Sequence, residues 1–199
     1  MTRLGRALRR LVQREDGNAP IELLFMSPLL LWGLFGTLVY FDAFRVEATS
    51  IKTGLTIADT LSRERALVND TYIDSMYELQ KFMNLHDKSP GLRVTVVRYH
   101  TKDDLTGFLD ATPHYHVVWS EVRGTDRAPL TDQDMSSLVN DLPITNDGGR
   151  LIIVETWTTH APALKALPVT TIPTFTFAAP RDVNVCFNNN PSNPLTDLC

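Results

Sequence analysis

Apolar side chains are arranged in two regimes along this chain. From Ile21 to Phe41 the sequence IELLFMSPLLLWGLFGTLVYF carries a single ionisable group, Glu22, in 21 positions. At about 1.5 Å of rise per residue such a run spans about 30 Å as a helix, the thickness of a bilayer hydrocarbon core. Beyond it the apolar positions become periodic. Phe44, Ala48, Ile51, Leu55, Ala58 and Leu61 recur at spacings of four, three, four, three and three, which predicts a continuing helix with one apolar stripe. Leu55 to Leu61 are expected to pack on the protein's own sheet. For Phe44 to Ile51 two partners stay open, that sheet or a neighbouring subunit.

A second helix is predicted from about Asp70 to Leu85, with Thr71 as N-cap and Ile73, Met76, Tyr77, Leu79 and Phe82 apolar. The segment from His86 to Gly91 breaks it with proline, glycine and polar residues. Four strands are then predicted: Leu92 to His100 and Tyr115 to Val122 from their alternation, Leu151 to His160 from its β-branched residues, and Thr174 to Ala179 from threonine alternating with phenylalanine. Between the second and third, Thr131-Asp132-Gln133-Asp134 before Met135, Leu138 and Val139 suggests a short capped helix. The turn Asn146-Asp147-Gly148-Gly149 suits a reversal into the third strand, because both residue types tolerate positive φ. The expected fold class is α+β: a long transmembrane helix leading into a single, mostly antiparallel sheet of about four strands with two shorter helices. The organisation read from this is a leader over 1–17, a transmembrane helix over 18–42, an exported domain over 43–185 and a tail over 186–199.

Charge orients the span. Arg3, Arg6, Arg9, Arg10 and Arg14 precede it, and a positive-inside bias places that end in the cytoplasm and the residues beyond Asp42 outside. Of the 19 Lys/Arg and 23 Asp/Glu, all but those five arginines and Glu15, Asp16, Glu22 and Asp42 lie beyond Asp42, leaving that portion net acidic. It offers no electrostatic case for nucleic acid. A secretory signal peptide with removal near Val46-Glu47-Ala48 fits poorly, since its apolar core would be about 7–15 residues.

A carboxylate at the mouth of a membrane helix is costly to desolvate. Glu22 could sit at headgroup level, or in the first helical turn where the macrodipole favours an anion. Neither explains Gly17, five positions earlier at the junction of charged leader and span. In this spacing the chain resembles the type IV prepilin signal, in which a prepilin peptidase cuts after a glycine and the fifth residue of the mature chain is glutamate. The resemblance implies cleavage after Gly17, a new N-terminus at Asn18, and Glu22 neutralising the N-terminal amine of a neighbouring subunit. More closely, Glu15-Asp16-Gly17, Ala19, Glu22 and Pro28-Leu29-Leu30-Leu31 resemble the amino-terminal region of the TadE/TadF family, minor pseudopilins of the Flp (tight adherence) pilus. About 50 residues carry this resemblance; Pro20 and Leu23 depart from the family's pattern. It implies a non-enzymatic, single-pass protein of the bacterial inner membrane with a periplasmic domain, whose partners are prepilin peptidase, other pilins or pseudopilins, inner-membrane assembly proteins and lipid. The alternative from a different class is an uncleaved, membrane-anchored periplasmic binding or scaffolding module.

Other candidate chemistry is thin. Gly33, Gly36 and Thr37 give the span a smooth surface for a neighbouring helix, although the glycines are three apart and short of Gly-x-x-x-Gly. Cys186 and Cys199 can pair in an oxidising compartment or remain two thiols. His114 and His116 would project from one strand face, but a third metal ligand is not evident, and His100 and His160 converge only through an unknown register. Asp103-Asp104 and Asp132 with Asp134 read as solvated charges, and no nucleophile elbow or phosphate-cradling motif occurs. No cofactor or metal is expected.

Overall fold

A computed structural model describes residues 18–84, 90–102, 109–162, 167–181, 184–190 and 198–199. Helix α1 runs from Asn18 to Ser62 and continues through Pro28. It is followed by α2 (Asp70–Met83), β1 (Gly91–Lys102), β2 (Leu109–Arg123), the one-turn α3 (Met135–Leu138) with a 3-10 turn at Val139–Asp141, β3 (Arg150–His160) and β4 (Thr170–Ala178). The architecture is α+β. One sheet of order β2-β1-β3-β4 has every neighbouring pair antiparallel, so the consecutive strands β1 and β2, and β3 and β4, form hairpin-like pairs around a central β1-β3 ladder. The chain divides after Asp42 into two units, Met1–Asp42 and Ala43–Cys199.

In the second unit both sheet faces are covered. Leu92, Val94 and Val96 of β1, Trp119 of β2 and Ile152 and Val154 of β3 point to one face and pack with Ile57, Ala58 and Leu61 of α1 and Ile73 of α2. Each fully buried aliphatic side chain contributes about 1.5–3 kcal/mol relative to exposure. The opposite face packs Val97, Tyr99, Tyr115, Leu151 and Ile153 against Met135 and Leu142 from the connection between β2 and β3. On that face Arg93 Nε and Nη2 donate to Glu155 Oε2 and Oε1 at 2.6 and 2.8 Å, and Arg93 lies over the Trp157 ring. The fork geometry satisfies a largely buried carboxylate that would otherwise be expensive.

The contact of α1 with β3 and β4 is polar. Ser50 Oγ lies 2.8 Å from Thr156 Oγ1 and 2.9 Å from Thr158 Oγ1, and Thr156 Oγ1 lies 2.5 Å from Thr174 Oγ1. Thr176 Oγ1 donates to the Val154 carbonyl at 3.1 Å. Next to this ladder a Cβ on Gly54 would stand 2.9 Å from Thr176 Oγ1, so only glycine lets the helix approach. Every hydroxyl in the seam finds a partner, which is what makes its burial tolerable.

Arg123 ties α2 to the end of β2. Its Nε, Nη2 and Nη1 donate to Asp74 at 2.6 Å, Asp70 at 2.5 Å and Glu121 at 3.0 Å. Partial burial opposes its charge, but its hydrogen bonds to Asp74, Glu121 and Asp70 outweigh that and raise its pKa. Asp70 also stands in the first turn of α2, where a carboxylate complements the helix dipole.

Several expectations are corrected. The N-cap of α2 is Asn69, whose Oδ1 accepts from Tyr72 N at 2.9 Å, and not Thr71, which lies inside the first turn. Asp134 makes no side-chain cap to α3; its Oδ2 instead accepts from Thr131 N and Oγ1 at 2.9 and 2.8 Å. β2 and β4 begin earlier than the alternation suggested, because ladder pairing with β1 and β3 extends them. Val185, at the end of the expected domain, is a core residue whose carbonyl accepts from Trp119 Nε1 at 2.9 Å, and Phe187, expected in the tail over 186–199, is buried in the same core and bridges Val68 and Leu198. Cys186 and Cys199 form a disulfide. A loop of this size constrains the unfolded chain by about 3 kcal/mol.

Two tests follow from this packing. Gly54→Val should cost about 1–3 kcal/mol by over-packing the seam, and adding Thr176→Ala should restore part of it; thermal unfolding of the two variants checks this. Tyr72 is raised from its ordinary 10.0 to about 12, by burial first and then by the Glu64 carboxylate. A raised phenol favours folding in its neutral form, so its contribution is intact below pH 10 and is lost as pH climbs through about 12. Tyr72→Phe should therefore flatten the fall in melting temperature across that alkaline window.

Candidate functional site

Among the sequence-derived candidates the first half of α1 comes first. Asn18 opens the helix and Glu22 lies exposed in its second turn; Gly17 lies outside the described residues. The helix contains a stretch long and apolar enough to cross a membrane, by length and composition. Its leucines, phenylalanines and Trp32 are exposed on all sides. Pro28 withholds an N–H from the Leu24 carbonyl, and the helix runs on regardless. Further along, Thr37 Oγ1 donates to Gly33 O at 2.9 Å, so the hydroxyl is satisfied along its own helix. A Cβ on Gly33 or Gly36 would meet nothing within 4 Å, which leaves this small-residue surface uncovered.

Past Asp42 the helix presents two different faces. Val46, Ser50, Thr53, Gly54, Ile57, Ala58 and Leu61 are buried against the domain. The predicted stripe therefore splits: Ala58 and Leu61 pack inward as expected, whereas Phe44, Ala48, Ile51 and Leu55 face outward, Phe44 at 49% and Leu55 at 51% exposure. Leu55 was expected inside. Its place is taken by Gly54 and Ile57, because the seam admits only small or hydroxyl-bearing side chains at 50, 53 and 54.

The histidines are partly gathered by the register. His100 pairs with His114 and Arg98 with His116 across β1 and β2, which puts the three rings on one face. Ring centroids lie 5.8 Å apart for His100 and His114 and 6.0 Å for His100 and His116. His116 Nδ1 is 2.7 Å from Asp132 Oδ2, whose other oxygen accepts from Val117 N at 2.7 Å. Among the described residues no three ligating groups are placed to share a metal ion. His160 pairs with Thr170 at the far end of the sheet, about 30 Å along the strand. Asp103 and Asp104 lie outside the described residues, and Asp132 and Asp134 serve the hydrogen bonds already named.

The same end of the sheet holds a feature that sequence reading missed. Arg98 and Arg150 are direct partners across β1 and β3, two like charges where neighbours repel. Burial, and then Arg98, lower the pKa of Arg150. Arg150 Nη2 donates to the Cys199 backbone oxygen, while Nη1 is buried without an acceptor among the described residues. Such a group costs about 1–3 kcal/mol or more when charged. Arg150 borders an open cavity of about 610 Å³ together with Thr145, Asn146, Arg181 and Asn184. The Arg181 backbone N–H donates to Ser62 O at 2.9 Å, so the cavity lies where α1 ends. Its guanidinium donates to Asp59 at 2.6 Å. Only the order of the β1-β3 register could have announced the pair, and no spacing in the sequence encodes it.

Comparison of the chain with models of known families, with curated proteins and with solved structures finds no match. The two faces of α1 can be tested directly. Leu55→Lys should leave stability within about 0.5 kcal/mol of the parent, whereas Ile57→Ala should cost about 2–5 kcal/mol, as read by denaturant unfolding.

Proposed function

We propose that this chain is a minor pseudopilin-like component of Flp/Tad pilus assembly, anchored in the bacterial inner membrane by the first half of α1 and acting through protein–protein contacts. In this reading the arginine-rich leader is cytoplasmic, the domain from Ala43 onward is periplasmic, and prepilin peptidase cuts between Gly17 and Asn18. The observation that carries it is the position of Glu22, an exposed carboxylate near the start of an otherwise apolar helix and in no ion pair among the described residues.

An ionised side chain inside lipid costs about 2.5–3.5 kcal/mol at the helix centre and less near the interface. A freed amine on an adjacent chain offsets that cost by supplying a charge partner. Two further features favour an exported, assembling protein. The Cys186–Cys199 disulfide suits an oxidising compartment. The outward row of Phe44, Ala48, Ile51 and Leu55, and the bare surface at Gly33 and Gly36, offer apolar area to other subunits.

Mass spectrometry of the protein from cells with active prepilin peptidase should find Asn18 at the N-terminus; a chain that keeps Met1 and its leader argues for the uncleaved module instead. Glu22→Ala should still reach the membrane with its disulfide formed yet reduce piliation severely. Normal piliation in that variant would remove the charge-pairing role.

A further inference from the structure

Four outward positions of α1 share a spacing that the domain's own packing leaves unused. Phe44, Ala48, Ile51 and Leu55 recur four, three and four residues apart, the a/d spacing of a coiled coil, with Ala48 and Leu55 at a and Phe44 and Ile51 at d. All four are exposed, Ile51 at 38% and Leu55 at 51%. At about 100° per residue they fall within about 60° of one another round the helix axis. Val46, Ser50, Thr53 and Ile57, which are buried in the domain, lie about 130–170° away from them, so the row stays accessible with the domain folded.

Charge flanks this row. Glu47 occupies a g position and Lys52 the following e position; both are exposed, and neither is in an ion pair among the described residues. Within one helix they cannot meet, because residues five apart point about 140° apart. In two parallel helices in register they do: the g side chain of one copy faces the e side chain five positions on in the other, and two-fold symmetry makes the contact twice. A Leu at a with an Ile at d favours more than two strands when nothing else intervenes. Here Gly54, the next g position, and Ala58, the next d position, are buried in the domain, so the open face is the narrow one a pair needs and it ends after Leu55.

We propose that α1 binds a second copy of this chain, parallel and in register, through Phe44, Ala48, Ile51 and Leu55, with Glu47 and Lys52 fixing the register. The inference rests on the membrane anchoring proposed above and not on the pilus role. Copies anchored in one membrane all point the same way, so the parallel arrangement is the one open to them. Four positions a side are few for association in water, where a stable interface buries about 1,200 Å² or more. Confinement to a bilayer removes in advance part of the freedom that association costs.

The test is cysteine crosslinking of the full-length protein in the membranes of cells that make it. Cys186 and Cys199 are already joined, so an introduced thiol is the free one. Ala48→Cys, Ile51→Cys and Leu55→Cys, made singly, should each give a disulfide-linked dimer on non-reducing gels. Thr56→Cys and Thr60→Cys, exposed on another side of the helix, should give at least about fivefold less. In the Ile51→Cys background Glu47→Lys should lower the yield about threefold by setting like charges together, and adding Lys52→Glu should restore it. The pairing is overturned by equal crosslinking at Thr56 or Thr60, by its absence along the row, by crosslinks to a different protein, or by failure of the second reversal to restore the first. Fractionation of the same cells reads the anchoring separately: a membrane-bound chain that fails these tests overturns the pairing alone, and a chain missing from the membrane overturns the anchoring with it.

Discussion

Gly54 meets Thr176 at a separation that leaves no room for a side chain, and the rest of the domain is organised around that approach. With the helix so close, hydroxyls on Ser50, Thr156, Thr158 and Thr174 can reach one another, and Ile57, Ala58 and Leu61 can reach the valines and isoleucines of β1 and β3. A larger residue at 54 would lift α1 away and strand those hydroxyls without partners, so one absent Cβ protects both a polar ladder and an apolar core. The covering of the other sheet face by Met135 and Leu142 depends less on the helix, because it is supplied by the connection between β2 and β3.

The seam also explains why α1 carries apolar side chains on two sides over the same residues. At positions 50, 53 and 54 its buried side is small or hydroxyl-bearing, and the large apolar core contacts begin only at Ile57. The larger apolar residues Phe44, Ile51 and Leu55 are thereby displaced to the outward side. These side chains lie outside the domain's own core, so the apolar stripe and the packed face of the helix do not coincide.

Much of the fold was legible in the sequence, and the parts that were not share a cause. The apolar run from Ile21 to Phe41 needs only its length to be read. The strands were visible from alternation and β-branching. Which face turned inward was not, since Thr174 and Thr176 are buried toward the helix while Phe177 is 42% exposed, the reverse of what hydrophobicity alone would choose. The phase of α1 beyond Phe44 failed for the same reason: a count of apolar positions passes over Ser50, Thr53 and Gly54, which are the ones that pack. Of the candidate site, Glu22, Gly33, Gly36 and Thr37 could be placed on the helix from spacing alone. The cavity beside Arg150 could not, because it joins the turn before β3, the start of β3 and the segment after β4, which no local pattern brings together.

The direction of the hydroxyl seam has a mechanical corollary. Ser50 contacts Thr156 and Thr158, and four residues later Gly54 contacts Thr176, so the contacts are laid side by side along the length of the helix. A pull applied along α1 loads them together, in shear, and no single bond can give way ahead of its neighbours as teeth do when a zip is opened from one end. A domain fastened in this way can transmit tension from its helix to its sheet while keeping its shape.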